Sequence, residues 1–243
     1  MDCPKCGHEN PENREDCLCC GVIFAKIKTL PDFQDLPPDW EPDPTAAMVS
    51  AKSNILLGQG PENSLVVWGR ALILLGIVIW SGKLMFASIA SNTSGESLLH
   101  LVNLPFHEAG HMLFRPLGRF FTSLGGTLAQ LLVPLICGGT LLLKTRDAFG
   151  AAVCIWWFGE NFLDIAPYIN DARAGVLPLL GGNTGSNSPY GFHDWEYLLT
   201  ETGLLRHDHL LAQLAHGFGS LLMIAALLWA GFVVYRQFRE TRA

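Results

Sequence analysis

Apolar residues dominate the chain from residue 65 onward, in long runs that are separated by short polar breaks. The runs cover 65–90, 98–117, 121–143, 148–169 and 210–235. Runs of this length predict helices that are buried deep in a protein or are long enough to cross a membrane. We therefore expect a mainly α fold, a multi-pass bundle of four to six transmembrane helices.

The first 64 residues differ in character from the rest of the chain. Residues 29–64 are rich in proline and acidic side chains, which interrupt regular structure and disfavour collapse. We interpret this stretch as an extended linker. It joins a small module at 1–28 to a membrane domain at 65–243.

The small module contains two Cys-x-x-Cys pairs, Cys3 with Cys6 and Cys17 with Cys20. Four thiols at this spacing match a tetrahedral structural zinc site, and so small a module has too little core to fold without its metal. Two disulfides are the alternative, but they need an oxidising compartment, and the N-terminus lacks an export signal. The module resembles the zinc ribbons that head many bacterial proteins, which implies one structural Zn²⁺ and a possible protein partner.

Composition supports a membrane protein, because 49% of the residues are apolar and only 16% are charged. The net charge of −6 belongs to the N-terminal segment, since residues 63–243 carry 11 acidic and 11 basic side chains. No basic patch with interleaved aromatic residues is present in the sequence. We expect the lipid bilayer as a partner and no nucleic acid.

The second run contains the motif His107-Glu108-Ala-Gly-His111. On a helix, positions i and i+4 share a face, so the two imidazoles can converge on one metal ion with Glu108 beside them. An ionisable side chain inside an apolar run costs free energy when it leaves water, so three of them in five positions indicate a function and not only packing. We predict a catalytic zinc site in which His107 and His111 are ligands and Glu108 is the general base.

A catalytic zinc needs a third protein ligand, and several residues downstream offer one. Asp164 and Asp171 are seven positions apart and can share a helical face. His193 and Asp194 follow a glycine-rich stretch and could either fold back over the site or cap the helix that starts near Trp195. Ligand chemistry alone leaves these candidates open.

An apolar His-Glu motif followed far downstream by Asn, Pro and Asp resembles the site-two protease family of intramembrane zinc metallopeptidases. Its members place the third ligand in an Asn-Leu-x-Pro-x-x-x-Leu-Asp-Gly segment. Asn161, Pro167 and Asp171 are similar in outline, with a longer Asn-to-Asp interval and with Ala172 in place of the glycine. The resemblance covers 98–175 and implies Asp171 as third ligand, Asn161 as a contact to the substrate backbone, and cleavage of membrane-spanning substrates.

The termini give an expectation for topology. Arginines near the C-terminus and a thiolate zinc site near the N-terminus both favour the cytoplasmic side, which requires an even number of crossings. Five runs are one too many or one too few, and Gly125, Gly126 and Pro134 make the third run the candidate for a re-entrant or broken segment. We expect an integral protein of the bacterial inner membrane with both termini in the cytoplasm.

Two other functions fit the same motifs. A membrane scaffold or adaptor could keep a structural or inactive metal site, and a metal transporter could use His and Asp inside the membrane. The scaffold predicts that Glu108→Gln changes nothing, whereas a peptidase would keep its zinc and lose cleavage. The absence of an internal sequence repeat makes the transporter less attractive.

Overall fold

The computed structural model describes residues 3, 8–11, 15–19, 23–24, 56–57 and 63–242. The chain divides into two compact units, Met1–Met48 and Val49–Ala243. The described part is mainly helical, and within it β-structure is limited to isolated bridges.

In the N-terminal unit, Cys17 Sγ accepts hydrogen bonds from the Cys19 backbone N–H at 3.4 Å and from Asn10 Nδ2 at 3.6 Å. Cys3 and Cys17 are both buried. Cys6, Cys20 and most of the 29–64 linker lie outside the described residues, so the zinc ribbon stays a prediction.

The second unit is built from α-helices, each of the five apolar runs forming one. The bounds are α1 Ser64–Met85, α2 Leu98–Phe114, α3 Arg119–Thr140, α4 Ala148–Asn170, α5 Asp194–Glu201 and α6 Asp208–Arg242. A π-helical segment, Leu141–Thr145, extends α3, and 3-10 turns occupy Ile89–Ser91, Arg115–Leu117, Gly185–Asn187 and Leu205–His207.

Short polar side chains begin these helices. The side chains of Asn63, Ser97 and Asp147 accept hydrogen bonds from backbone N–H groups in the first turns of α1, α2 and α4. Each bond satisfies a donor that the helix itself leaves unpaired. The same residue types that break the apolar runs in the sequence therefore fix where the helices start.

Helix α4 is the centre of the bundle and packs antiparallel against α6. The two backbones lie close together at Gly159 and Gly219, where a Cβ added to Gly159 would lie 2.8 Å from the Gly219 carbonyl oxygen. Small residues permit this approach, which is a common way for helices to associate in membranes. Leu163, Met223 and Trp156 fill the space around the crossing and are buried.

Helix α1 packs against both α4 and α6, with its first residues near the end of α6. The rings of Trp68 and Phe238 meet edge to face with centroids 5.0 Å apart. Arg70 forms an ion pair of 3.0 Å with Asp147, the residue that caps α4. The start of α1, the start of α4 and the end of α6 therefore lie at one end of the bundle.

Within the described part of the chain, three helical segments are long and apolar enough to cross a membrane, Ser64–Met85, Arg119–Thr145 and Leu205–Thr241. The expected break in the third run does not occur, because Arg119–Thr140 is α-helical throughout and Pro134 is buried inside it. In a packed bundle, neighbouring helices can satisfy the backbone carbonyl that a proline leaves without its hydrogen bond. The second run forms the shorter helix, α2, of 17 residues.

Candidate metal centre

His107 and His111 lie one turn apart on α2, and their side chains converge on Asp194. The Nε2 atoms of His107 and His111 lie 3.3 and 3.2 Å from the same oxygen, Asp194 Oδ2. One ligand atom from each of the three residues falls within 4.8 Å of the others. Two ligands held by one tetrahedral zinc at about 2.0 Å are themselves about 3.3 Å apart, so the spacing of this group fits zinc.

Hydrogen bonds at the opposite ring nitrogens fix the tautomer of both histidines. His107 Nδ1 donates to Gln130 Oε1 at 2.8 Å, and His111 Nδ1 donates to the Thr122 carbonyl oxygen at 2.8 Å. In a neutral imidazole the remaining nitrogen, Nε2, then has a free lone pair, as in most metal-binding histidines. Two lone pairs and the Asp194 carboxylate face one another, and such a group of acceptors requires a cation, either a metal ion or added protons.

A chain of amides sets the orientation of Gln130. Asn161 Nδ2 donates to the Trp157 carbonyl oxygen at 2.9 Å, and Asn161 Oδ1 accepts from Gln130 Nε2 at 3.1 Å. Because a backbone carbonyl can only accept, each amide in turn must present its oxygen to the next donor. The chain ends on His107, whose Nδ1 must therefore carry the proton.

Glycines allow α2 and α3 to approach closely enough for this arrangement. Gly110 and Gly125 face each other, and a Cβ on Gly125 would lie 2.7 Å from the Gly110 carbonyl oxygen. A Cβ on Gly126 would lie 2.7 Å from ring atoms of both His107 and His111. The two imidazoles thus lie directly against the backbone of α3 at Gly126.

Asp194 reaches the histidines because it is the first residue of α5. His193 caps this helix, and its Nδ1 accepts the Glu196 backbone N–H at 3.2 Å. Burial lowers the pKa of His193, which keeps its ring neutral. Burial would raise the pKa of Asp194, but hydrogen bonds with His107 and His111 outweigh burial and bring that pKa below its usual value.

A cavity of about 740 Å³ opens beside the three residues, and Glu108 lines it. Apolar side chains from α2 and from the segment before α5 form much of the wall, including Leu101, Leu104, Leu179, Leu180 and Phe192. The cavity is large enough for several residues of a peptide, and Glu108 is the carboxylate that the sequence motif places next to the two histidines.

Asp171 and Asp164, two of the predicted ligands, have other partners. Asp171 accepts the backbone N–H groups of Val176 and Leu177 at 3.1 and 2.9 Å and so closes the turn after α4. Its Oδ2 lies 3.7 Å from Nε2 of His193. The structure therefore places Asp194, and not Asp171, next to His107 and His111. Asp171 and His193 stabilise the chain between α4 and α5, which determines where Asp194 lies.

Asp164 belongs to a separate buried cluster on the cavity wall. Its Oδ1 pairs with His100 Nδ1 at 2.8 Å, and its Oδ2 accepts from Asn103 at 3.0 Å. The same Asn103 amide donates to Glu160 at 3.1 Å, and Trp157 donates to Asn103 at 2.7 Å. These contacts tie α2 to α4 and keep Asp164 out of the group formed by His107, His111 and Asp194.

Three residues of the site were not predicted from the sequence: Thr122, Gly126 and Gln130. A lone glutamine in an apolar run is a signal that could have indicated Gln130, because a buried amide needs partners. A Gly-Gly pair in such a run likewise indicates a close helix contact. The role of Thr122 is carried by its backbone and leaves no sequence signal.

Searches against protein-family models, curated proteins and solved structures find no match for this chain.

Proposed function

We propose that this chain is an intramembrane zinc metallopeptidase that hydrolyses peptide bonds in or near membrane-spanning segments. One observation carries the proposal: the Nε2 atoms of His107 and His111 face the same Asp194 carboxylate oxygen, 3.3 and 3.2 Å away, which is the spacing of two ligands on one zinc ion. Their ring orientation is fixed by the hydrogen bonds that their Nδ1 atoms donate to Gln130 Oε1 and to the Thr122 carbonyl oxygen. This is the arrangement that a metal site with two histidines and one carboxylate needs.

His107, His111 and Asp194 would hold the zinc, which leaves one coordination position for water or substrate. When bound, zinc supplies Lewis-acid polarisation of a carbonyl and a lowered pKa for water. Glu108 lines the same cavity and acts as general base, taking a proton from the attacking water. It then returns that proton to the nitrogen of the leaving amine.

The bundle favours a substrate that arrives from the bilayer. Large apolar side chains such as Leu72, Ile79, Met112 and Leu113 are exposed on α1 and α2. A peptide bond inside a helix has its carbonyl occupied by the hydrogen-bond ladder. The substrate segment therefore unwinds locally in the apolar cavity before cleavage.

We propose four crossings, formed by α1, α3, α4 and α6. At 17 residues, α2 is about 25 Å long, which is short of the hydrocarbon thickness of about 30 Å. The start of α1 and the end of α6 lie at one end of the bundle, as an even number of crossings requires. This topology agrees with both termini in the cytoplasm of a bacterial cell and with a cytoplasmic zinc ribbon that contacts a partner protein.

The test uses the full chain in lipid vesicles with a panel of transmembrane peptides, and cleavage is measured by mass spectrometry. Glu108→Gln should keep its zinc and lose cleavage by a factor of at least about 10². Glu96→Gln is the matched control, because Glu96 also lines the cavity. Products that form equally with Glu108→Gln, or that persist after chelation of zinc, would contradict the proposal.

The alternative is a non-catalytic membrane scaffold or adaptor with a structural site. One observation favours it: Asp194 pairs with both histidines, so the group can hold α5 against α2 through protonated rings alone. In that case His107→Ala lowers stability while Glu108→Gln has no effect on any function of the protein.

A further inference from the structure

Arg119, the first residue of α3, contacts the segment that carries Asp194. Its guanidinium donates a hydrogen bond to the Tyr190 carbonyl oxygen at 2.8 Å. It also stacks over two rings, 4.7 Å from the centroid of Tyr197 and 5.8 Å from that of Tyr190. Tyr190 precedes Asp194 and Tyr197 follows it, so Arg119 holds this segment on both sides of the metal ligand.

The local backbone is adapted to this contact. Gly191 adopts a left-handed conformation with φ of 81°, and a Cβ at this position would overlap the Arg119 guanidinium. Only glycine combines this conformation with so close an approach. The Arg119 contact is therefore specific to the observed path of the chain before α5.

The helix that carries Arg119 also fixes the two histidines. Thr122 and Gln130 of α3 accept the Nδ1 protons of His111 and His107. Asp194 is the one member of the metal group that lies outside the α2–α3 hairpin, on a helix of eight residues. Its position relative to the histidines depends on what ties that short helix to α3.

We infer that Arg119 is a positioning residue for the metal centre and holds the 190–197 segment so that Asp194 completes the ligand set. This inference rests on the proposed metal site. Arg119 acts through Asp194 and does not touch the metal. Its stack on Tyr197 and its bond to Tyr190 form a clamp that preorganises the third ligand, and preorganisation raises affinity by removing an ordering cost at binding.

The experiment measures zinc affinity of the full chain in detergent by competition with a chelator. The signal from the N-terminal cysteines is removed by subtracting a His107→Ala variant. Arg119→Ala should weaken zinc binding at this site by about 10- to 100-fold, the range seen when outer contacts of metal ligands are lost. Arg119→Lys keeps the charge but not the planar guanidinium, so its zinc affinity should lie between those of the wild type and Arg119→Ala.

Two comparisons separate positioning from general stabilisation. Arg115→Ala removes the same charge from the exposed turn just before α3 and should leave zinc affinity unchanged. In an Asp194→Ala background, Arg119→Ala should have no additional effect, because the ligand through which it acts is gone. Tyr197→Leu should repeat the Arg119→Ala effect and Tyr197→Phe should not, which gives a second test if Arg119→Ala unfolds.

An unchanged affinity in both Arg119→Ala and Tyr197→Leu would overturn the inference. An equal loss with and without Asp194 would overturn it as well, since Arg119 would then act on the fold as a whole. Failure of the proposed function gives a different result: the wild-type chain and His107→Ala would bind the same amount of zinc.

Discussion

Gln130 Oε1 lies 2.8 Å from Nδ1 of His107 and determines which ring nitrogen faces Asp194. Gln130 is buried, and its own orientation is set by Asn161. Asn161, predicted from the family resemblance to contact the substrate backbone, is thus joined to the His107 ring through two hydrogen bonds. In the proposed metal site, Asn161 would therefore order the His107 side chain.

Replacing Gln130 by Leu should weaken zinc binding by about 10- to 100-fold, because His107 loses the acceptor that fixes its tautomer. Gln130→Glu keeps a hydrogen-bond acceptor for His107 Nδ1, so its zinc affinity should fall less than that of Gln130→Leu. Gln213→Leu on the exposed surface of α6 is the control and should have no effect. Chelator competition on the full chain measures all three, and equal affinities for Gln130→Leu and wild type would contradict the role of this bond.

Gly126→Ala should displace the His107 and His111 rings and weaken zinc binding while leaving the helices in place. The added Cβ lies 2.7 Å from atoms of both imidazoles, so the rings must move apart by more than the tolerance of a zinc site. We expect a loss of zinc affinity on the order of a hundredfold. Gly139→Ala is the matched control, because nothing lies within 4 Å of a Cβ there, and circular dichroism checks that both variants stay helical.

The α4–α6 crossing should control stability without affecting the metal. Gly159→Ala places a methyl group 2.8 Å from the Gly219 carbonyl oxygen and should lower the free energy of unfolding by about 1–3 kcal/mol. Gly217→Ala on α6 adds a methyl group with nothing within 4 Å and should be neutral or stabilising. Thermal unfolding in detergent compares the two, and similar values would show that the backbones are not in tight contact.

Asp164→Asn tests whether the second polar cluster, formed around Asp164, is independent of the proposed metal centre. Asp164 pairs with His100 and accepts from Asn103, so its replacement should cost about 1–3 kcal/mol of stability. Zinc content should not change, because Asp164 is not part of the metal group. A zinc content reduced by one ion per chain in a folded Asp164→Asn protein would show instead that Asp164 is a ligand.

The sequence predicts the local part of the site and not the distant part. His107 and His111 converge because the period of a helix requires it, and this can be read from five consecutive residues. The third ligand depends on where the chain returns after 83 more positions. Asp171 and Asp194 have the same chemistry, and only the fold shows that Asp171 is engaged by the backbone of Val176 and Leu177.

The helices show the same contrast between what local sequence determines and what tertiary packing determines. Each apolar run became a helix because its length and composition determine helix formation locally. Whether Pro134 breaks the third run depends on packing around it, and the buried proline is accommodated within α3. The close contacts at Gly110 and Gly125 likewise involve residues on different helices, so their partners cannot be read from the sequence alone.

Zinc content of the full chain tests the central claim most directly, because it asks which aspartate completes the site. Wild type should hold one zinc more than His107→Ala, and the N-terminal cysteines contribute equally to both. Asp194→Ala should lose this same ion after dialysis against a chelator, whereas Asp171→Ala and Glu108→Gln should keep it. Loss of the ion in Asp171→Ala with retention in Asp194→Ala would contradict the account, as would a wild-type protein that holds no more zinc than His107→Ala.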